Sequence, residues 1–146
     1  MQETDAEKKL ATWPREVVIY TDGASRGNPG AASIGVFVTG PSGETVLEYK
    51  ECVGHQTNNY AEYTAVLRSL ELAKEHGTSV VTIRSDSELM VRQMQGQYKV
   101  KSPVIIPLFQ SCKALIPEFK KVEFEHVRRE YNREADRLAN EALDAV

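Results

Sequence analysis

The hydrophobic pattern along residues 16–53 is typical of three short strands. Runs rich in β-branched and aromatic residues occupy 16–22, 31–38 and 45–53, as expected of strands in a half-buried sheet. Segments rich in glycine and proline separate them, and the segment 23–30 is predicted to be a turn. Because both connections are short, the three strands are expected to form an antiparallel meander.

The period of the pattern changes at residue 57, from which apolar residues recur at helical spacing as far as residue 76. Further strands are predicted at 80–85 and 121–127, and further helices from about Ser87, over 104–115 and from about Asn132. The order βββαβααβα predicts an α/β fold, a mixed five-stranded sheet with helices on both faces. We assign residues 1–15 to an N-terminal extension and residues 16–146 to one domain.

Composition restricts the class of protein but does not identify a function. The chain has 146 residues, 41% hydrophobic and 27% charged, which is ordinary for a single soluble domain. No apolar run could span a bilayer and no signal sequence is visible, so a cytoplasmic location without a membrane partner is expected. Cys52 and Cys112 form no disulfide framework, and small hydrophobic residues near the core are the favoured interpretation; whether they pair stays open.

The net charge of −3 argues against binding nucleic acid through bulk positive charge. It does not exclude an enzyme whose bound cations dominate the local field. Oligomeric state is not encoded in any recognisable motif, and a monomer is the simplest expectation.

Four carboxylates are the candidate chemistry: Asp22, Glu62, Asp86 and Asp136. Each has an ordinary structural explanation, either in a turn, at a helix cap, or at the positive end of a helix dipole. Together they fit that explanation less well, since Asp22 shares a strand face with large residues and Asp136 extends the apolar stripe of its helix. Buried acids need partners, and no lysine or arginine stands out on those faces.

Asp22 and Asp86 are both predicted to stand at the exit ends of strands, where sites form in open sheets. Four converging carboxylates would repel one another, so a divalent cation with oxygen ligands is the physically sensible partner. Two such ions can promote in-line displacement at phosphorus. Mg²⁺ fits this role, and Mn²⁺ is an alternative.

Four stretches of the chain then resemble a known family, the type 1 ribonucleases H. They are Tyr-Thr-Asp-Gly-Ala-Ser-Arg-Gly-Asn-Pro-Gly (20–30), Thr-Asn-Asn-Tyr-Ala-Glu-Tyr (57–63), Ser-Asp-Ser (85–87) and the segment 126–139, which ends in Ala-Asp-Arg-Leu-Ala. The stretches occur in the family's order across residues 17–144. The chain resembles the short form that lacks the family's basic protrusion.

The resemblance implies a nuclease that hydrolyses the RNA strand of an RNA–DNA hybrid, leaving 5′-phosphate and 3′-hydroxyl ends. It implies that the four acids bind two metal ions. It also implies that further positions contact the substrate: Gly23, Asn28, Thr57, Asn58, Asn59, Ser87 and Glu88. Side-chain amides there could read the 2′-hydroxyl in a shallow minor groove, while helix capping is an equally simple role for Asn58 and Asn59.

Two departures from the family pattern bear on function. The segment 95–102 is short and holds only Lys99 and Lys101, so fewer phosphate contacts and weaker binding are expected. Many members also carry a histidine in the loop before the last acid, where this chain has Arg128-Arg129-Glu130-Tyr131. Arg129 is a candidate for charge neutralisation or product release, or else a solvated surface arginine.

Three functions remain in competition at this stage. The first is the hybrid-specific endonuclease, and the second is a catalytic relative with another substrate such as duplex RNA. The third is a hybrid-binding module without catalysis. The complete set of four acids argues against the third, because a binding module gains nothing by repelling phosphate.

Overall fold

The computed structural model describes residues 12–146, so most of the predicted N-terminal extension, residues 1–11, lies outside the described residues. One five-stranded sheet, in the order β3-β2-β1-β4-β5, organises the chain. Strands β1 to β3 are antiparallel, whereas β4 and β5 run parallel to β1. The strand bounds are β1 Glu16–Arg26, β2 Gly30–Thr39, β3 Thr45–Gln56, β4 Val80–Ser85 and β5 Lys121–His126.

Within residues 12–146, four α-helices complete the predicted order βββαβααβα, which is confirmed. They are α1 Asn58–Glu75, α2 Glu88–Met94, α3 Ile106–Leu115 and α4 Arg133–Asp144. Two short 3-10 turns, Ile116–Glu118 and Arg129–Tyr131, precede β5 and α4. Helix α3 begins two residues later than the sequence suggested, and Pro107 falls in its first turn, where a missing N–H costs nothing.

The first strand is longer than the sequence predicted. The segment 23–30 was expected to be a turn, but β1 continues to Arg26 and only residues 27–29 connect it to β2. Pairing explains the difference, because residues 22–26 remain hydrogen-bonded to β2 after the parallel pairing with β4 has ended at Thr21 and Ser85. A neighbouring strand thus overrides the local preference of a glycine-containing sequence for a turn.

Local signals in the sequence set the helix bounds. Thr57 caps α1 by accepting a hydrogen bond from the backbone N–H of Tyr60 at 3.1 Å. Gly77, with φ of 76°, ends the helix in the left-handed conformation that glycine tolerates. Ser87 caps α2 in the same way as Thr57, with Met90 as the donor.

Helices α1 and α4 lie on opposite faces of the sheet. Helix α1 packs on the face of Val17 and Ile19, both fully buried, and forms the larger core with α3. Helix α4 crosses the other face over β1, β2 and β3. Trp13, 7% exposed, joins the larger core and stacks on His76 with ring centroids 4.7 Å apart. The N-terminal part of the described chain is therefore held against the end of α1.

The two cysteines are both free, and only one matches the expected role. Cys112 is buried in the core, whereas Cys52 is exposed on β3 and its Sγ donates to the Ala142 carbonyl at 3.2 Å. The prediction that both are core residues is wrong for Cys52, because β3 is the edge strand of the sheet. Among residues 12–146, no helix combines the length and apolar character that a bilayer crossing requires.

Candidate active site

Asp22 and Asp86 lie where β1 and β4 separate. Asp86 follows the last residue of β4, and Asp22 follows Thr21, the last β1 residue paired with β4. The expectation that Asp22 ends its strand is wrong, because β1 continues beside β2. What ends there is the parallel pairing, and the opening it leaves brings the two carboxylates together.

Glu62 and Asp136 reach the same place from the helices on the two faces of the sheet. Glu62 lies in the first part of α1 and Asp136 in the first turn of α4. Their side chains line, with Asp22 and Asp86, one open cavity of about 430 Å³. The four acids predicted from the sequence therefore do converge.

Close contacts at two glycines set the distance of each helix from the sheet. A Cβ atom on Gly23 would lie 2.3 Å from the Glu62 nitrogen, and one on Gly35 would lie 2.0 Å from the Ala135 carbonyl oxygen. Gly23 follows Asp22 on β1, and Gly35 on β2 is the register partner of Asp22. The absence of side chains at these positions lets both helices pack directly on the strand backbones.

Burial and mutual repulsion together raise the pKa values of the acids in the cavity. Asp22 is 8% exposed, and its pKa is raised to about 9 by burial first, and then by Asp86, Asp136 and Glu62. Burial also raises the pKa of Glu62 and of Asp86, with Asp86 adding to the effect on Glu62 and Asp136 to that on Asp86. These are the shifts expected of carboxylates that crowd together without enough positive charge.

Neutral side chains donate hydrogen bonds to two of the acids. A hydrogen bond from the Ser87 hydroxyl moderates the pKa of Glu62, and Asn140 Nδ2 donates to Asp136 Oδ1 at 3.2 Å. Asn132, which precedes α4, donates from Nδ2 to the Thr21 carbonyl at 2.9 Å. That last bond ties the start of the Asp136 helix to the strand of Asp22.

Arg129 is the one cationic residue in the lining of the cavity within the described chain. It comes from the 3-10 turn before α4, and its guanidinium lowers the pKa of Asp86, opposing the effect of burial. Arg129 therefore faces the site, in the position that the charge-neutralising role requires. One arginine cannot balance four carboxylates.

The donor set fits divalent metal ions. The cavity offers carboxylate oxygens, which hard cations such as Mg²⁺ prefer, and a cation there would relieve the repulsion around Asp22. Within residues 12–146, no three His, Cys, Asp or Glu side chains are drawn into a tight cluster of potential metal ligands. The acids thus line an open cavity rather than a closed cage, an arrangement that leaves room for water and substrate in the ion's shell.

The predicted substrate-binding residues divide among three places. Gly23 and Asn58 line the acid cavity, and Ser87 contacts Glu62 beside it. A second cavity lies next to the first and is lined by Asn28, Thr57, Asn59, Ser102, Val104 and Ile105. The two are linked, since Asn28 Oδ1 accepts a hydrogen bond from the Asn58 N–H at 3.1 Å.

Glu88 is the predicted residue that lies apart from both cavities. It is the first residue of α2, forms an ion pair with Arg92 at 3.4 Å, and has its carboxylate 3.8 Å from Nδ1 of His126. Glu88 lines neither cavity, and its contact with a substrate stays a prediction.

Sequence reasoning missed Ala24, Ser25 and Asn140 in the acid cavity. In the second cavity it missed Ser102, Val104 and Ile105. Asn140 was within reach, because it is four residues from Asp136 and such pairs share a helix face. No signal of that kind marks Ser102, which approaches Thr57 only through the tertiary fold.

Comparison with known proteins gives one consistent result. A family model described as reverse transcriptase-like matches residues 20–142. The structure of RNase H1 from Halobacterium salinarum superposes with a TM-score of 0.87 at 38% identity, covering 90% of this chain and 99% of that one. The structure of LC11-RNase H1 in complex with an RNA/DNA hybrid gives a TM-score of 0.85 at 45% identity, with 88% and 97% covered.

A Mycobacterium tuberculosis protein named as bifunctional is 44% identical over 132 residues. The match covers 90% of this chain but 36% of that protein. The chain thus spans about a third of the length of this curated relative, so the similarity concerns one domain of a larger protein.

Proposed function

This chain belongs to the ribonuclease H family, and from that premise we propose that it is an endonuclease hydrolysing the RNA strand of RNA–DNA hybrids. The observation that carries the proposal is the convergence of Asp22, Glu62, Asp86 and Asp136 on one cavity, with the pKa of Asp22 raised to about 9. A structural role would not gather four acids around a single arginine. The similarity to a ribonuclease H1 whose structure contains an RNA/DNA hybrid supports the substrate class.

The proposal includes two divalent ions, Mg²⁺ or alternatively Mn²⁺, held by the four carboxylates. When bound, the ions would supply Lewis acidity for in-line displacement at phosphorus, by activating a water and by stabilising the leaving oxygen. Displacement with the 3′ oxygen as leaving group gives 5′-phosphate and 3′-hydroxyl ends. Support comes from the oxygen-only donor set and its uncompensated charge, which a divalent cation would neutralise.

The chain's own residues would orient the substrate and balance charge. Asn58 lines the acid cavity and places an amide group beside the carboxylates. Asn28, whose Oδ1 accepts a hydrogen bond from the Asn58 N–H, adds a second amide in the adjoining cavity. Such groups can donate to and accept from a 2′-hydroxyl, the group that distinguishes RNA from DNA. Arg129 would neutralise negative charge that develops on the phosphate, since its guanidinium already faces Asp86.

The second candidate is a nuclease of the same chemistry acting on duplex RNA, because the acid cavity alone does not select a strand. The two candidates differ in whether the strand opposite the cleaved RNA strand must be DNA. A difference between the two strands could be sensed in the second cavity, because Asn28 of that cavity is bonded to Asn58 of the acid cavity. A monomeric state and a cytoplasmic location belong to the proposal as well.

The test is a cleavage assay on four labelled substrates: an RNA–DNA hybrid, duplex RNA, duplex DNA and single-stranded RNA. Each is incubated with Mg²⁺, with Mn²⁺ and with a chelator, and the product ends are identified by their reactivity with phosphatase and ligase. We expect metal-dependent cleavage of the hybrid's RNA strand alone. Equal rates on duplex RNA would favour the second candidate, and binding without cleavage in any metal would favour a non-catalytic module.

A further inference from the structure

Positive charge is concentrated in one part of the chain. Residues 89–117 hold four lysine and arginine residues and no aspartate or glutamate, whereas the remaining residues hold 14 basic and 21 acidic ones. The net charge of −3 is therefore the sum of a basic region, residues 89–117, and an acidic rest of the chain. A duplex carries about one negative charge per 1.7 Å of its axis, so this region is where such a ligand would be attracted.

Two of these four cations are already used within the protein. Arg92 donates to Gln97 Oε1 at 2.7 Å and lies over the Tyr98 ring, 5.7 Å from its centroid. Lys113 Nζ donates to the Met94 carbonyl at 3.0 Å. The other two, Lys99 and Lys101, are exposed, and no acidic side chain of residues 12–146 forms an ion pair with either.

Lys99 and Lys101 belong to residues 97–102, which we call the basic segment. It contains no helix or strand. Its last residue, Ser102, lines the second cavity, as do Val104 and Ile105 just after it. That cavity adjoins the acid cavity through the bond between Asn28 and Asn58. A duplex whose scissile phosphate reached the acids would therefore extend toward the basic segment.

An irregular segment needs an anchor to present its side chains in one place. Gln93, 7% exposed and near the end of α2, supplies one from within the protein. Its Nε2 donates to the Lys99 carbonyl at 3.3 Å, and its Oε1 accepts a hydrogen bond from the hydroxyl of Tyr63. Tyr63 is fully buried on α1 and follows Glu62 directly in the chain.

We propose that Gln93 is a positioning residue for substrate binding, which fixes the basic segment so that Lys99 and Lys101 contact the phosphates of a bound duplex. Both ends of the Gln93 amide are used, one on the helix that carries Glu62 and one on the backbone of Lys99. The bridge sets the position of the lysines relative to an acid of the cavity. Ordering the segment before binding reduces the entropy that each lysine contact loses. This inference rests on the proposed function, since it assumes a nucleic-acid duplex as ligand.

The experiment is a double-mutant cycle on duplex affinity. Gln93→Leu removes both hydrogen bonds at similar volume, and Lys99→Ala with Lys101→Ala removes the contacts on which Gln93 is proposed to act. Dissociation constants are measured by fluorescence anisotropy with a labelled RNA–DNA hybrid in EDTA, at several salt concentrations between 50 and 200 mM. Steady-state kcat and KM are measured in parallel with Mg²⁺.

We expect the double lysine variant to lower the salt slope of binding by about two, roughly one per lost phosphate contact. Gln93→Leu should weaken binding and lower the slope in the same direction by a smaller amount, with KM raised and kcat unchanged. In the background without the two lysines, Gln93→Leu should cause no further loss of affinity. An equal loss in both backgrounds, or a slope unchanged by Gln93→Leu, would overturn the proposal.

Tyr63→Phe provides a second route if Gln93→Leu melts below the assay temperature. It deletes one hydroxyl and leaves the Lys99 bond without its support from α1, so the same cycle applies with a smaller effect. Lys120→Ala is the matched control, because Lys120 is an exposed lysine immediately before β5. It lies about 20 Å along the strands from the acids. Binding is measured without metal, so a failure of cleavage would count against the proposed function and leave the result for Gln93 intact.

Discussion

Replacing Asp22 by asparagine should abolish cleavage and, in the absence of metal, make the protein more stable. The folded state raises the pKa of Asp22 from 3.8 to about 9, so it binds a proton that the unfolded chain releases above pH 4. Stability therefore falls as the pH rises between these two values. At pH 7, three pH units above the ordinary value, the cost is up to about 4 kcal/mol at 1.4 kcal/mol per unit.

Asparagine carries no charge, so the variant is relieved of this cost. For a domain of this size a gain of 4 kcal/mol corresponds to a rise in Tm of about 10 °C. The assay is thermal unfolding of wild type and Asp22→Asn in EDTA from pH 5 to pH 9. The wild-type Tm should fall with pH more steeply than that of the variant, because Asp22 contributes its titration only to the wild type.

Adding Mg²⁺ gives the complementary measurement. Ions that bind only the folded state raise its stability by about 2.7 kcal/mol at a hundredfold excess over Kd, and Asp22→Asn should lose most of that gain. A variant that melts below the wild type in EDTA at pH 8 would refute the reasoning. So would a wild-type Tm that does not respond to pH in this range, since the acids would then not be repelling one another.

Three further predictions concern the surroundings of the acids. In hybrid cleavage assays, Arg129→Ala should lower kcat by about tenfold or more with little change in KM. Arg128→Ala, at an exposed side chain outside the cavity, should leave kcat unchanged. Equal effects of the two substitutions would make Arg129 a surface residue. Gly35→Ala should lower the free energy of unfolding by more than about 3 kcal/mol in chemical denaturation, because its Cβ would meet the Ala135 carbonyl. Gly43→Ala, with open space around it, should lower it by about 1 kcal/mol because of its positive φ. A small effect of Gly35→Ala would show that α4 can shift. Asn132→Ala should cost about 1–3 kcal/mol by leaving the Thr21 carbonyl without its donor, and an unchanged Tm would show that water replaces it.

The sequence predicts the elements of this fold well because each carries its own local signal. Thr57 and Ser87 are capping residues, Gly77 ends a helix, and the apolar spacing changes from strand to helix at residue 57. These signals depend on residues near in sequence. The convergence of the four acids was also predictable, but only by combining helix and strand faces with the rule that buried charge needs a partner.

Features that depend on distant partners were harder to predict. The extension of β1 to Arg26 depends on pairing with β2, and the exposure of Cys52 depends on β3 lying at the sheet edge. Glu88 was assigned to the substrate only by the family resemblance, and that contact stays a prediction. Its carboxylate lies near Arg92 and His126, a contact that no local pattern indicated. Similarly, Ser102 reaches the neighbourhood of Thr57 through the packing of α3, which no local pattern records.

The two glycine contacts have a consequence for how this protein can vary. Glu62 and Asp136 sit on helices that touch β1 and β2 through main-chain atoms, with no side chain as a spacer between them. Replacing one core residue by another should therefore change the stability of the packing between the helices and the sheet without changing the distances between the acids. Conservative exchanges at positions such as Leu70 or Val81 should shift the temperature range of the protein while its turnover per folded molecule stays constant. In this architecture, thermal stability can therefore change while the geometry of the four acids is kept.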